Sequence, residues 1–293
     1  MKKFRLIHGK NKNHMPRKYS IITTCKGRLH NLKVTLPRFL EQPDSEVIVV
    51  DYDCPDGTSG FVKKTYPAAQ VVSVFDQPRF NVSHARNLGS MKATGDFLVF
   101  LDADVVIARN FISSIDRQMD KGMFAAFAPS AQNSLRGSCV VERKSFERIG
   151  GYDELLDGYE GEDLELYMRL RFIAATMLTL EPALVDEVIE QSTEERARYR
   201  GGDDIKMQFL RGQLYMLAKE MLMSVQSTPV LNHALRQKLL AGVNQNLTAL
   251  YAGEKDFSLE VVLPDKYKRG YLNEWEFSRA ITIKAKRKRP SYT

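Results

Sequence analysis

"FLVFLDADVVI", residues 97–107, is the stretch on which the fold turns. Its five leading apolar residues suit a strand covered on both faces, as in a parallel sheet packed between helices. The run then delivers Asp102 and Asp104 with one alanine between them. A period of two puts both carboxylates on one side of the strand. Like charges that close repel, and one pKa rises unless a cation joins them. Mg²⁺ or Mn²⁺, bound by hard oxygens and completed by a diphosphate, relieves that conflict. Asp-x-Asp alone is a weak signal, common in loops and helix caps. Its place at the end of an apolar strand is what favours a metal.

Working outward, "NVSHARNLGSMKATGD" (81–96) predicts a helix closed by Gly95. Upstream, "AQVVSVF" (69–75), "EVIVVDY" (46–52) and "YSIITTC" (19–25) predict three more strands. Leu29, Leu32, Leu36 and Leu40 keep helical spacing, with Pro37 expected to kink or shorten that helix. Strand alternating with helix predicts an α/β fold, a mainly parallel Rossmann-like sheet with right-handed crossovers. Ligands of such sheets bind beyond the carboxyl ends of the strands. Polar clusters fall there: Thr23-Thr24-Cys25, Asp51-Tyr52-Asp53 and Asp102-Ala103-Asp104.

Downstream, residues 137–154 predict a strand, a short helix and a Gly-Gly turn. "GEDLELYMRLRFIAA" (161–175) predicts a helix with acids at its start and arginines towards its end, matching the helix dipole. Residues 203–226 predict an amphipathic helix with Met207, Leu210, Leu214, Leu217, Met221 and Val225 as its apolar stripe. A second helix is expected from Pro229 to about Ala252. The expected organisation is a basic arm (1–17), a catalytic domain (18–200) and a helical C-terminal extension with a basic tail (201–293).

The 293 residues carry a net charge of +7. Seven Lys or Arg lie in residues 1–18 and five in residues 284–293, so the remainder is mildly acidic, at about −5. Such tails suit an anionic membrane surface or nucleic acid, or serve as solubilising ends. Three cysteines exclude a disulfide framework, and no apolar run reaches membrane-spanning length. A cytoplasmic protein, peripheral to the inner face of the plasma membrane, is expected. The histidines show no metal-ligand spacing, and no Ser-His-Asp arrangement is legible.

"SIITTCKGR", "VIVVDYDCPDGT", "FNVSHARNLGSMKATGDFLVFLDAD" and "GGYDELLDGYEGEDLELYMRL" occur in one order and spacing. Together, over about residues 18–200, they resemble family 2 glycosyltransferases of the GT-A fold. Phe80 to Asp104 and "GEDLEL" also resemble the β-1,4-galactosyltransferases and related bacterial N-acetylgalactosaminyltransferases. The resemblance implies that Thr23, Thr24, Arg28, Asp51 and Asp53 hold the nucleotide. Tyr52 stands where the family's acidic turn has a second aspartate, leaving Asp51, Asp53 or a stacked Tyr52 to meet the uracil. Arg86 and Asn87 match residues that approach the nucleotide or its phosphates; the alternative for Arg86 is an ion pair locking helix to sheet.

The resemblance further implies Asp104 as the direct metal ligand, with Asp102 in support. Glu162 and Asp163 match the acidic pair that provides the catalytic base, Asp163 at the matching position; their alternative is helix capping. Related enzymes often add a histidine ligand after this helix, and Gln191 stands in its place. The expected activity is transfer of a sugar from a UDP-sugar to a hydroxyl of a glycan or lipid-linked acceptor. Inversion, assistance by Mn²⁺ or Mg²⁺ and a role in bacterial surface polysaccharide synthesis are expected with it. Alternatives are an acceptor in modified nucleic acid, a retaining variant, or a non-catalytic nucleotide-sugar-binding scaffold.

Overall fold

Seven residues, Tyr19–Cys25, form the first strand (β1) of a seven-stranded sheet, all of them buried. The computed structural model describes residues 19–128, 135–192, 195, 198–200, 204–251, 256–264 and 278–286. The N-terminal arm, most of the C-terminal basic tail, Arg196 and Trp275 lie outside them. The chain divides into two units. One comprises the segments up to Pro78, Ala85–Arg148 and Ala175–Glu190; the other comprises Arg79–His84, Ile149–Ala174 and the chain from Gln191.

In the first unit, β1 is followed by α1 (Leu29–Leu40), β2 (Ser45–Tyr52), α2 (Thr58–Thr65) and β3 (Gln70–Val74). Then come α3 (Val82–Ser90), which belongs to this unit from Ala85 onward, β4 (Phe97–Asp102), β5 (Val105–Ile107), α4 (Phe111–Asp116) and β6 (Met123–Phe127). The series ends with β7 (Cys139–Glu142), α5 (Arg143–Arg148), β8 (Thr176–Leu180) and β9 (Val185–Val188). The sheet order is β3-β2-β1-β4-β7-β6-β8. β3, β2, β1 and β4 pair in parallel, β7 runs antiparallel to both neighbours, and β8 pairs in parallel with β6. This confirms the α/β expectation. Phe97, Leu98, Val99, Phe100 and Leu101 are each no more than 2% exposed. Burial of each such side chain contributes roughly 1.5–3 kcal/mol, enough to anchor a strand that ends in a charge.

Local differences have physical reasons. α1 runs through Pro37, because the proline lies in the last turn and Glu41 N–H still closes onto its carbonyl at 3.1 Å. α3 ends at Ser90, short of Gly95, in a run of turns. Gly95 instead donates its N–H to Ser20 Oγ at 2.9 Å, which aligns the entry into β4.

The second unit carries α6 (Glu162–Phe172), α7 (Ile205–Gln226), α8 (His233–Tyr251) and a hairpin of β10 (Asp256–Pro264) with β11 (Ser278–Lys286). Asn232 rather than Pro229 starts α8, its Oδ1 accepting Leu235 N–H at 2.9 Å. The sequence reading anticipated the helices but not the hairpin. The buried face of α7 also differs from the expected stripe. Of that stripe Leu214 is buried and Leu217 packs against the core, while Gly212, Tyr215, Ala218, Lys219, Leu222 and Met223 also point inward and Leu210, Met221 and Val225 are exposed. The inward face carries a lysine and a tyrosine bound to buried acids, so counting apolar residues misplaced it.

Candidate active site

β4 stops pairing at Asp102, and Ala103-Asp104 turn the chain into β5. The alternation that put both carboxylates on one face therefore ends at Asp102. Thr35 of α1 donates its hydroxyl to the Ala103 carbonyl at 3.1 Å, and Ile189 N–H donates to the Asp104 carbonyl at 2.8 Å. The turn is thus fixed from both sides. Each carboxylate faces an arginine: Arg86 Nη2 lies 2.8 Å from Asp102 Oδ1, and Arg28 Nη1 lies 3.5 Å from Asp104 Oδ2. These cations relieve the repulsion expected of the pair. The Arg86 side chain is buried, and its contact is the ion pair between helix and sheet that the sequence left open. Gly137 covers it, since a Cβ there would stand 2.8 Å from both Arg86 Nη2 and Asp102 Oδ2.

Arg28 occupies the N-cap of α1 without capping it; Asp56 Oδ2 accepts the Leu29 N–H at 3.2 Å. Asp51 is committed to its own turn, accepting N–H bonds from Cys54 at 2.8 Å and Ser59 at 2.6 Å. Asp53 has φ +52° and a half-exposed side chain that accepts Gln77 N–H at 3.0 Å. The Tyr52 ring is buried, with no open face for a base to stack on. Thr23 is buried with its hydroxyl unpartnered, Thr24 is nearly buried, and Asn87 is half-buried on α3.

Sequence reading missed Lys26. Its buried ammonium donates to the carbonyls of Tyr52 (3.3 Å), Asp53 (2.9 Å) and Gln77 (2.6 Å) and lies 3.7 Å from Asp53 Oδ2. One side chain ties the loops after β1, β2 and β3 together. The only signal was a lysine directly after a strand in "CKGR".

In the second unit, Glu162 and Asp163 are the first two residues of α6, each 8% exposed, behind Gly161 at φ +79°. The helix dipole favours carboxylates there. One turn on, Glu165 is fully buried and serves a structural role. Arg169 Nη2 meets it at 2.5 Å, and Lys219 donates to it. Lys219 also reaches Asp153 Oδ2 at 2.5 Å, and Arg236 and Tyr215 bind Asp153 as well. Burial works to raise both acids, but the surrounding cations outweigh it and hold Asp153 and Glu165 below the usual carboxylate range.

Glu160 differs. Arg211 Nε donates to its Oε1, yet burial dominates and pushes the carboxyl up to about 7. Its Oε2 is buried without a hydrogen-bond partner. A Cβ on Gly212 would stand 2.0 Å from the Glu160 carbonyl, so only glycine lets α7 pass this close.

Among the described residues, no group of three or more His, Cys, Asp or Glu side chains is placed to hold a metal ion. The available donors are nevertheless hard oxygens. In the first unit Asp102 and Asp104 supply carboxylates. Gln191, the residue the resemblance aligned with a third ligand, belongs to the second unit, where its amide oxygen is buried with no hydrogen-bond partner. That chemistry fits Mg²⁺ or Mn²⁺.

Residues 20–171, just over half of the chain, match the family model described as glycosyl transferase family 2. The chain belongs to glycosyl transferase family 2. This glycosyltransferase has the GT-A fold, as solved structures also indicate. The mannosyltransferase PcManGT of Pyrobaculum calidifontis, in complex with GDP-Man and Mn²⁺, superposes with a TM-score of 0.53 at 17% identity. That match covers 82% of this chain and 76% of the other. Residues 1–349 of S. aureus TarS, in complex with UDP-GlcNAc, give a TM-score of 0.55 at 14% identity, over 80% and 73% of the two chains. A longer S. aureus TarS chain is matched over 43% of its length. Among the described residues of this glycosyltransferase, no helix is long and apolar enough to cross a membrane.

Proposed function

We propose that this family 2 glycosyltransferase moves a hexose-type sugar from a UDP-sugar to a hydroxyl of a glycan or lipid-linked acceptor, with inversion. The observation that carries this reading is the charge arrangement at one sheet edge. Lys26, Arg28, Asp53, Arg86, Asp102 and Asp104 gather where β1, β2 and β4 end. Carboxyl edges of parallel strands are where nucleotides bind. Structural similarity to a TarS complex with UDP-GlcNAc supports UDP as the nucleotide, and the PcManGT complex supports a divalent ion.

Asp53, held open by Lys26 and Gln77, takes the uracil side, since Asp51 is spent on its turn and Tyr52 is buried. Arg28 meets the diphosphate. Asp104 and Asp102 would hold the divalent ion, which when bound stabilises the negative charge that grows on the departing diphosphate. Because both carboxylates already face arginines, the protein alone holds the ion weakly, and the donor brings much of its coordination. Asp163, at the N-terminal end of α6 where the helix dipole favours a carboxylate, takes the acceptor hydroxyl's proton as that oxygen attacks the anomeric carbon. Glu162 beside it accepts a hydrogen bond from the acceptor. The role in surface polysaccharide synthesis rests on the family resemblance and the basic tails.

Calorimetric titration of UDP and GDP into the full chain, with and without Mn²⁺, tests the donor reading. UDP binding that strengthens with Mn²⁺ and weakens about tenfold, or 1.4 kcal/mol, in Asp53→Ala is expected. Absence of binding by either nucleotide contradicts it.

A further inference from the structure

Cys25 is the last residue of β1, and Cys54 lies just beyond β2, the neighbouring parallel strand. Asp51, opposite Cys25 in the strand register, holds the Cys54 N–H at 2.8 Å and folds the turn back. The two sulfurs consequently stand 3.9 Å apart, both as free thiols. Cys25 is fully buried, and its sulfur also lies 3.3 Å from Thr58 Oγ1. Cys54 is half-buried, and Gly27 donates its N–H to the Cys54 sulfur at 3.1 Å. The contact with Cys25 lowers the Cys54 thiol to about 6 against the effect of burial, while the same contact and burial push Cys25 up. The contact therefore favours the proton on the inner sulfur and thiolate character on the outer one. Thiolates are the reactive form of cysteine.

We propose that Cys25 and Cys54 are an oxidisable pair, a modification site that hydroperoxides close to a disulfide, weakening nucleotide binding at the adjoining loops. The Cys54 thiolate attacks one peroxide oxygen, the O–O bond breaks, and the leaving hydroxide takes a solvent proton to give water and Cys54 sulfenic acid. Cys25 then attacks that sulfur. The S–O bond breaks, and the departing hydroxide leaves as water with the Cys25 proton. Two thiols lose two electrons and the peroxide gains them. Cys139, buried in β7, is outside this chemistry.

Bond formation requires the sulfurs to approach by about 2 Å. That takes the Cys54 sulfur from the Gly27 N–H and draws the β2–α2 turn towards β1. The same turn carries Asp53 and Asp56, and Lys26 follows Cys25 directly. The effect on nucleotide rests on the donor reading above; the disulfide does not.

The test treats reduced full-length protein with dilute hydrogen peroxide, maps its peptides and titrates it with UDP. A Cys25–Cys54 linked peptide two hydrogens lighter, a free Cys139 and a UDP affinity about tenfold lower, restored by dithiothreitol, are expected. Cys54→Ser should give no linked peptide and no peroxide effect on UDP. Cys25→Ala should leave a sulfenic acid on Cys54 that dimedone traps. Oxidation of wild-type Cys54 to sulfinic acid without linkage overturns the proposal, as does linkage with unchanged UDP affinity. Reduced protein that binds no UDP counts against the donor reading, and the linked peptide alone then decides the modification site.

Discussion

Arg86 Nη2 donates to Asp102 Oδ1 at 2.8 Å, from a side chain that is only 3% exposed. The first acid of the Asp-Ala-Asp turn is thereby held by α3 through charge as well as packing. Arg86→Leu leaves a partly buried carboxylate without this partner. It should cost about 2 kcal/mol, below the range for a fully buried pair because Asp102 keeps some water contact. Gly137→Ala drives a methyl into the same pair and should destabilise in the same direction. Urea denaturation of both variants checks this.

Lys219 is the centre of the buried ionic cluster in the second unit, touching Asp153 and Glu165. Lys219→Met removes the cation shared by two acids that are no more than 1% exposed, leaving Glu165 to Arg169 and Asp153 to Arg236 and Tyr215. A loss of about 2–3 kcal/mol is expected near pH 7, below the range for an uncompensated buried charge because both acids keep an arginine. The loss should shrink towards pH 4, because acids with fewer cationic partners protonate more readily. In the wild type both acids are depressed below their ordinary 3.8 and 4.5. Their contribution is present above those values and is lost as pH falls through the lower folded ones. Thermal unfolding across pH 3–8 reads both effects.

Glu160 has the opposite sign. Between its ordinary value of 4.5 and about 7, the folded protein keeps a proton that the unfolded chain releases. Stability from this group is full below 4.5 and falls as pH rises through that window. Glu160→Gln should flatten the dependence there, leaving the acid limb set by Asp153 and Glu165. An unchanged slope between pH 5 and 7 in the variant would contradict the assignment.

The sheet was legible because β1, β2 and β4 are built on apolar runs that give way to polar residues at their carboxyl ends. The Asp-Ala-Asp turn and the acidic head of α6 were legible for the same reason: each is a local pattern. Their partners were not. Arg28 and Arg86 belong to separate elements, and nothing in the spacing assigns one to Asp104 and the other to Asp102. Lys26 was passed over because its hydrogen bonds run to three backbone carbonyls, which have no sequence signature. On α7, Lys219 and Tyr215 lie on the buried face only because Asp153 and Glu165 are there to meet them. An apolar count therefore rotated the helix towards Leu210 and Met221. Long-range charge pairing, rather than helix or strand propensity, separates the reading from the structure.

The central claim is that the acid at the head of α6 is the base of a nucleotide-sugar transfer. It is tested most directly by following UDP release from a panel of UDP-sugars, with Mn²⁺ and hydroxyl acceptors, by wild type and Asp163→Asn. Expected are turnover by the wild type and a loss of about a hundredfold or more in Asp163→Asn, with UDP affinity unchanged. Asp163→Asn turning over at the wild-type rate, or no release from any UDP-sugar, would contradict the account.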